Sequence, residues 1–278
     1  MRVSQEILTS RQNPRVCRAA SLSEKKGRCA ERAFLAEGEK LTLDALAAGL
    51  PVTEIFAMAS RRERLTSRIF PALADERYRD TVWYWLSDEA FSKISTEKSP
   101  QGVVSVIKYL DFFAEKDIIY KEDFFLSPQE RAIALHEVRD PSNLGAVIRS
   151  AAAFGADTVV LSSDCADLYS PKTVRAAMGS LFRIRAVSVA DFPSFITAAR
   201  ACGRRVLSAE LSERALPLNR ATLSPLDIVI IGNEGHGVPD GISRLCDDGV
   251  YIPITDRAES LNASVAASVL LWEQGKGK

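Results

Sequence analysis

Hydrophobic and polar positions follow two different rhythms along this chain, and the change comes near residue 130. Before it, residues 33–38 (Ala-Phe-Leu-Ala-Glu-Gly) read as a short strand closed by glycine. Residues 39–48 read as a helix with Leu41, Leu43, Ala45 and Leu46 apolar, stopped by Gly49 and Pro51. Apolar runs at 52–57, 81–86 and 103–107 predict three further strands with helical stretches between them. The opening, 11–28, is polar and turn-prone. These elements predict a small α/β domain over 1–109. Residues 110–131 mix acids with phenylalanines and predict a linker whose aromatics dock on a domain surface. From 132 to 278, strand patterns (132–138, 158–162, 184–189, 205–210, 226–231, 249–252) alternate with helical ones (143–153, 172–178, 192–202, 239–246, 261–274). Such alternation predicts a mostly parallel sheet with helices on both faces.

Composition narrows the function classes. The chain has 278 residues, 46% of them hydrophobic, enough for two domains with real cores. No apolar run approaches the roughly 18–20 residues of a membrane span, and the N-terminus lacks a hydrophobic signal core. The expectation is a cytoplasmic protein without a membrane partner. Five cysteines are scattered without a Cys-x-x-Cys pair, and the only histidines are His136 and His236. That argues against a metal site, a disulfide framework or a histidine-based catalytic triad. His136 falls inside a strand pattern and reads as a core histidine. Net charge is zero but uneven: residues 1–40 hold 9 Lys and Arg against 5 Asp and Glu, an excess that suits a phosphate backbone.

Three segments carry candidate chemistry. The first is Asp140-Pro-Ser-Asn143, a helix-start turn directly after the strand at 132–138, in which Asp140 or Ser142 can cap and Asn143 opens the helix. Arg149 follows about two turns later among Ala146, Val147, Ile148 and Ala151, and an arginine in such company calls for an anionic or polar partner. The second, Gly232-Asn-Glu234-Gly-His-Gly237, follows the apolar run 228–231; its alternating glycines permit close backbone approach, yet alone it reads as a tight turn. It lacks the lysine and Ser/Thr of a phosphate-binding loop. The third runs from Ile252-Pro-Ile254 through Ser260-Leu261-Asn262 to Ser264 and Ser268, with Ser260 placed to cap a last helix and Asn262 in its first turn.

Together the three segments resemble the signature motifs of the SpoU family of RNA 2′-O-ribose methyltransferases, in the SPOUT superfamily. Asp140-Pro-x-Asn-x-Gly-x-x-x-Arg149 is similar to the first motif, Ile231-Gly-Asn-Glu234-Gly-x-Gly to the second, and Ile252-Pro…Ser260-Leu-Asn262-x-Ser264 to the third. Residues 9–14 and 34–38 resemble the ribosomal-protein-like RNA-binding domain of many members. The resemblance implies a parallel sheet with a C-terminal trefoil knot and S-adenosylmethionine as cofactor. Gly232, Ile252, Ile254 and Leu261 would lie around its adenosine, with Ala209 nearby. It implies a homodimer whose sites draw on both subunits, and a ribosomal or transfer RNA substrate, ribosomal slightly favoured. Asp256 stands where the family pattern has glycine, and Ala263 where it has valine, which bears on cofactor affinity.

For the chemistry, the resemblance implies Asn143, Arg149, Glu234, Ser260 and Asn262 as the catalytic set. Asn143 and Asn262 would orient the ribose and Arg149, Ser260 would bind phosphate or backbone, and Glu234 would brace them. A guanidinium keeps its proton to a pKa above ~12. Arg149 is therefore expected to stabilise the developing alkoxide, and a base role needs it locally deprotonated. Two rivals remain: an RNA-binding protein that has lost catalysis, and a nucleotide-binding dehydrogenase, whose glycine fingerprint is missing.

Overall fold

The computed structural model describes residues 1–110, 113–116 and 126–276. The chain divides into two compact units, one formed by 1–110 with 167–182, the other by 111–166 with 183–278.

The first unit contains, in chain order, β1 (Arg2–Leu8), α1 (Pro14–Ser21), α2 (Lys25–Glu31), β2 (Ala33–Glu37), α3 (Glu39–Ala47), β3 (Val52–Met58), α4 (Arg62–Ile69), β4 (Val82–Leu86), α5 (Asp88–Phe91) and β5 (Val103–Lys108). Its sheet runs β1-β4-β3-β5-β2, with β1, β4 and β3 parallel and β5 antiparallel to both neighbours. Phe34, Phe56, Trp83 and Phe91 are fully buried in it. The polar opening is not loop but two helices. Asn13 caps α1 by accepting the Arg15 N–H at 2.9 Å, and Pro14 takes the first helical position, where its missing N–H costs nothing.

The segment 167–182, expected within the second domain, packs here. Its helix Pro171–Ala176 lies against β2. Tyr169 stacks on Phe34 and Tyr109 at centroid distances of 4.5 and 4.2 Å. Arg28 is buried and its guanidinium donates to Asp167 at 2.6 Å and to the carbonyls of Leu22 (2.9 Å) and Ser23 (2.6 Å). A buried guanidinium without such partners would cost several kcal/mol.

The helix Pro171–Ala176 is α7 in chain order, and the second unit contains β6 (Phe113–Lys116), β7 (Ala132–Leu135), α6 (Pro141–Ala153), β8 (Thr158–Ser162), β9 (Arg185–Val189), α8 (Phe192–Ala201), β10 (Val206–Ala209), β11 (Ala215–Pro217), β12 (Ile228–Ile231), α9 (Asp240–Ser243), β13 (Asp248–Tyr251) and α10 (Ala263–Gly275). Its eight strands run β11-β13-β10-β12-β7-β8-β9-β6, every neighbour parallel. Ala134, Val160 and Ile230 pack with Phe192, Phe195 and Ile196 of α8. Their strand neighbours Ile133, Leu135, Val159 and Ile231, which face the other way, are buried as well. Both faces are therefore covered, as the strand–helix alternation predicts. On that second side α10 packs on α6 and β12.

Several boundaries differ from the sequence expectation. β7 ends at Leu135, the expected 239–246 helix is a single turn, and the last helix starts at Ala263. Half of the expected linker, residues 111, 112 and 117–125, lies outside the described residues, and Phe113–Lys116 within it is the edge strand β6. No helix among the described residues is long and apolar enough to cross a membrane.

Candidate active site

All parallel strands present their carboxyl ends at one edge of a sheet, and β7 hands the chain directly to α6 there. Three contacts shape the turn. The Glu137 N–H donates to Ser162 Oγ at 2.9 Å, its carbonyl accepts from Asn233 Nδ2 at 2.9 Å, and its carboxylate pairs with Arg139 at 2.7 Å. Glu137 itself has φ +54°, a left-handed conformation that these contacts hold in place. Asp140, rather than Ser142, caps α6, accepting the N–H groups of Ser142 (2.7 Å) and Asn143 (3.0 Å), and Pro141 rather than Asn143 is the first helical residue.

The loop after β12 closes on itself. Asn233 and Gly237 exchange both backbone hydrogen bonds, at 3.0 and 2.9 Å, and Gly237 has φ +68°. A Cβ on Gly232 would sit 2.1 Å from the Gly237 carbonyl carbon, so only glycine allows the two backbones to meet. That closure presents Glu234 towards α6. Its carboxylate accepts from Asn143 Nδ2 (2.9 Å) and from the backbone N–H groups of Asp140 (3.2 Å) and Arg139 (3.3 Å). Partial burial alone would raise the Glu234 pKa. The hydrogen bonds from Asn143 and from the backbone amides outweigh it, and the carboxyl is held below its ordinary range.

A carboxylate only accepts, so Asn143 must turn its NH₂ to Glu234 and its oxygen away. That oxygen accepts from Asn262 Nδ2 at 2.9 Å, and the Asn262 oxygen accepts the Ser264 N–H at 2.9 Å, capping α10. One acid thus fixes the polarity of both amides. The bridge Glu234–Asn143–Asn262 joins the first segment to two others, 91 and 119 residues further along the chain. It also brings two 13-residue helices together at their N-termini, where unpaired N–H groups and helix dipoles favour negative charge.

Two of the expected catalytic residues stay outside this bridge. Arg149 is exposed on α6, with no hydrogen bond or ion pair among the described residues. Its apolar neighbours in sequence, Val147, Ile148 and Ala151, are buried on the other side of the helix. Ser260 is exposed in the loop before α10 and does not cap it; Asn262 does. The sequence reading missed the structural parts of the site. These are the backbone N–H groups of Arg139 and Asp140, the loop-setting Asn233, and a hydroxyl pair, Ser150 to Ser268 at 2.7 Å, that ties α6 to α10. Ser264 and Ser268 at helical spacing were the visible signal for the last.

Four of the five expected cofactor residues lie at neighbouring strand ends, and Leu261 lies in the loop before α10. Ala209 ends β10, Gly232 follows β12, and Ile252 and Ile254 follow β13, which lies next to β10. Ala209, Ile252 and Leu261 are half-buried and Ile254 is 42% exposed. Accessible aliphatic side chains at strand ends fit an adenosine, whose flat base needs apolar contact. His136 is not part of this site. It is buried edge-on to Phe192 at 5.0 Å, and burial holds its pKa below the usual value.

Residues 130–272 match the SpoU rRNA Methylase family. The chain belongs to that family. Residues 13–105 match the MRM3-like substrate binding domain. The SpoU relatives include the 23S rRNA (guanosine(2553)-2′-O)-methyltransferase of Bacillus subtilis, 32% identical over 95% of this chain and 97% of its own. An AdoMet-bound rRNA methyltransferase from Sinorhizobium meliloti superposes with a TM-score of 0.79 and 30% identity, over 99% of this chain and 98% of that one. An uncharacterized tRNA/rRNA methyltransferase of Synechocystis is 30% identical over 96% of this chain and 92% of its own.

Proposed function

We infer that this SpoU protein transfers the methyl group of S-adenosylmethionine to a ribose 2′-hydroxyl of RNA, with ribosomal RNA as the substrate. The observation that carries the reading is the Glu234–Asn143–Asn262 bridge, which unites the three family motifs into one polar cluster beside the strand ends expected to hold the cofactor. Residues 1–109, joined by the excursion 167–182, form the RNA-binding domain and the rest of 132–278 the catalytic domain, a division supported by the family matches at 13–105 and 130–272. The ribosomal preference rests on the 23S rRNA name of the Bacillus subtilis relative.

Ala209, Gly232, Ile252, Ile254 and Leu261 hold the adenosine and methionine of the cofactor, in loops that close as a trefoil knot. Bound there, the cofactor supplies a methyl group on a sulfonium, already activated for in-line displacement. The residues of the chain do the rest. Asn143 and Asn262, locked in orientation by Glu234, align the ribose, and Ser260 holds the neighbouring phosphate or backbone. Arg149 stabilises the negative charge that grows on the 2′-oxygen as its proton leaves to solvent.

The exposed position of Arg149 supports a homodimer, in which a second copy completes the site. The same helix pair carries Val265 and Trp272, 47% and 58% exposed, with Trp272 edge-on to Phe154 at 5.8 Å. Apolar residues of this size on accessible helix faces fit a self-association surface.

The test is incubation with labelled cofactor and total RNA from a strain lacking the gene, followed by mapping of the alkali-resistant nucleotide. Cofactor uptake without any methylated position would favour an RNA-binding protein without catalysis.

A further inference from the structure

We propose that the face of the first unit carrying Arg61, Arg64 and Arg68 is a phosphate-binding ridge that grips the RNA backbone. The proposal rests on the reading of the chain as an RNA methyltransferase and names the surface by which its first unit holds the substrate.

Arg61 precedes α4, and Arg64 and Arg68 follow at spacings of three and four, so all three share one side of the helix. Arg61 and Arg64 line two hollows at once: an open cleft of about 790 Å³, which Arg68, Lys40 and Gln101 also line, and a neighbouring one of about 540 Å³. The arginines are therefore a ridge between two accessible depressions, a relief suited to a chain of alternating phosphates and riboses.

The ridge is held in place from behind. Glu39 is buried at the start of α3, and Arg64 Nε lies 2.8 Å from one of its oxygens while Arg68 Nε lies 3.8 Å from the other. Both guanidiniums approach the acid through Nε, and their side chains remain 64% and 62% exposed. Among the described residues no hydrogen bond engages their outer nitrogens, the pair that binds a phosphate in fork geometry. Arg61 is placed differently. It lies across Gly102, φ +87°, where a Cβ would come within 2.7 Å of its Cδ. Gly102 thus serves both the turn and the arginine. The backbone of Glu39 is fixed as well, its N–H donating to Gln101 Oε1 at 3.0 Å.

A structural role alone accounts poorly for this arrangement. One buried carboxylate needs one guanidinium, and here it has two within ion-pair distance while its Oε1 keeps no hydrogen-bond partner among the described residues; Arg61 stands beside them with no ion pair among those residues. Preorganised cations in a fixed row lower the ordering cost of binding a polyanion, and each phosphate neutralised releases counterions.

The experiment measures binding of the full-length protein to in vitro transcribed 23S rRNA across a salt series from about 50 to 200 mM. The Arg61→Gln/Arg64→Gln/Arg68→Gln variant should bind roughly 100-fold more weakly at about 0.1 M salt, with a log–log salt slope shallower by about 2 to 3. Its KM for RNA should rise while kcat at saturating RNA and S-adenosylmethionine affinity hold. Lysine at the same three positions should keep the wild-type slope, and Arg2→Gln/Arg79→Gln, a change of similar charge elsewhere on the unit, should leave binding within about twofold. A glutamine variant with wild-type affinity and slope, in a wild-type protein that binds and methylates RNA, overturns the ridge and leaves the methyltransferase reading standing. RNA binding lost in the glutamine variant, with no methyl transfer by any form, supports the ridge and overturns the methyltransferase reading instead.

Discussion

The two halves of the candidate site are built in opposite ways. The Glu234–Asn143–Asn262 bridge is complete within one chain: each donor has its acceptor, and the acid fixes both amides. Among the described residues Arg149 and Ser260 have no such partners, and both stand exposed. A polar group satisfied internally serves as framework, because releasing it to touch a ligand would cost a hydrogen bond. Exposed groups lose little on meeting a ligand. The division suggests that the chain prearranges the geometry of the ribose site and leaves its electrostatic contact to form with substrate or a second copy.

If so, the two halves should respond differently to substitution. Arg149→Ala should reduce kcat by about 10³-fold, the scale of losing a positioned charge-stabilising donor. S-adenosylmethionine affinity and melting temperature should stay as in wild type, by calorimetry. Near-full activity in that variant would place the reactive contact elsewhere. Glu234→Gln keeps the shape but replaces one of the two acceptor oxygens with a donor NH₂, so position 234 no longer sets the polarity of both amides. Misalignment should then cost about 10²-fold in kcat, measured with saturating RNA and cofactor.

The same variant has a pH signature. The folded Glu234 carboxyl is more acidic than in the unfolded chain, near ~4.3. Its contribution to stability is therefore full above that value and lost as pH falls through the folded value. Urea titrations should show this acid-side loss in wild type and a smaller one in Glu234→Gln. Asp140→Ala removes the α6 cap and should lower stability by about 1 kcal/mol in the same titrations. Ser260→Ala is expected to do least: a stability change within about 0.5 kcal/mol, with its effect confined to the KM for RNA.

The fold was legible where strands are buried on both sides. β7, β8, β10 and β12 announce themselves as apolar runs because helices cover both their faces. The strands without a counterpart in the sequence reading are β1, β6 and β11, and all three are edge strands. β1, Arg-Val-Ser-Gln-Glu-Ile-Leu, is mostly exposed and so shows no core face. β2 is also at an edge yet was readable, because the helix Pro171–Ala176 covers it and its residues are apolar in consequence. The site was legible as chemistry before it was legible as geometry. Asn143, Glu234 and Asn262 could be named from their motifs, but only the folded chain shows the order in which they hold one another. Arg149 was misread locally, since the apolar residues flanking it in sequence belong to the opposite side of the helix. The arginine ridge was hidden from charge counting altogether, because residues 41–109 are balanced and acids such as Asp44 and Glu63 line the same hollows.

The route from β8 to β9 has a practical consequence for anyone dividing this protein. A cut in the 110–131 stretch looks like a clean separation of the two regions, but residues 167–182 would leave with the second fragment. The first fragment would then expose the faces of Phe34 and β2 that Tyr169 and the Pro171–Ala176 helix cover, and would keep Arg28 without its acid. Each fragment would carry sticky apolar surface and invite aggregation. An RNA-binding fragment worth studying alone must bring that excursion with it, as a grafted loop or a circularly permuted chain.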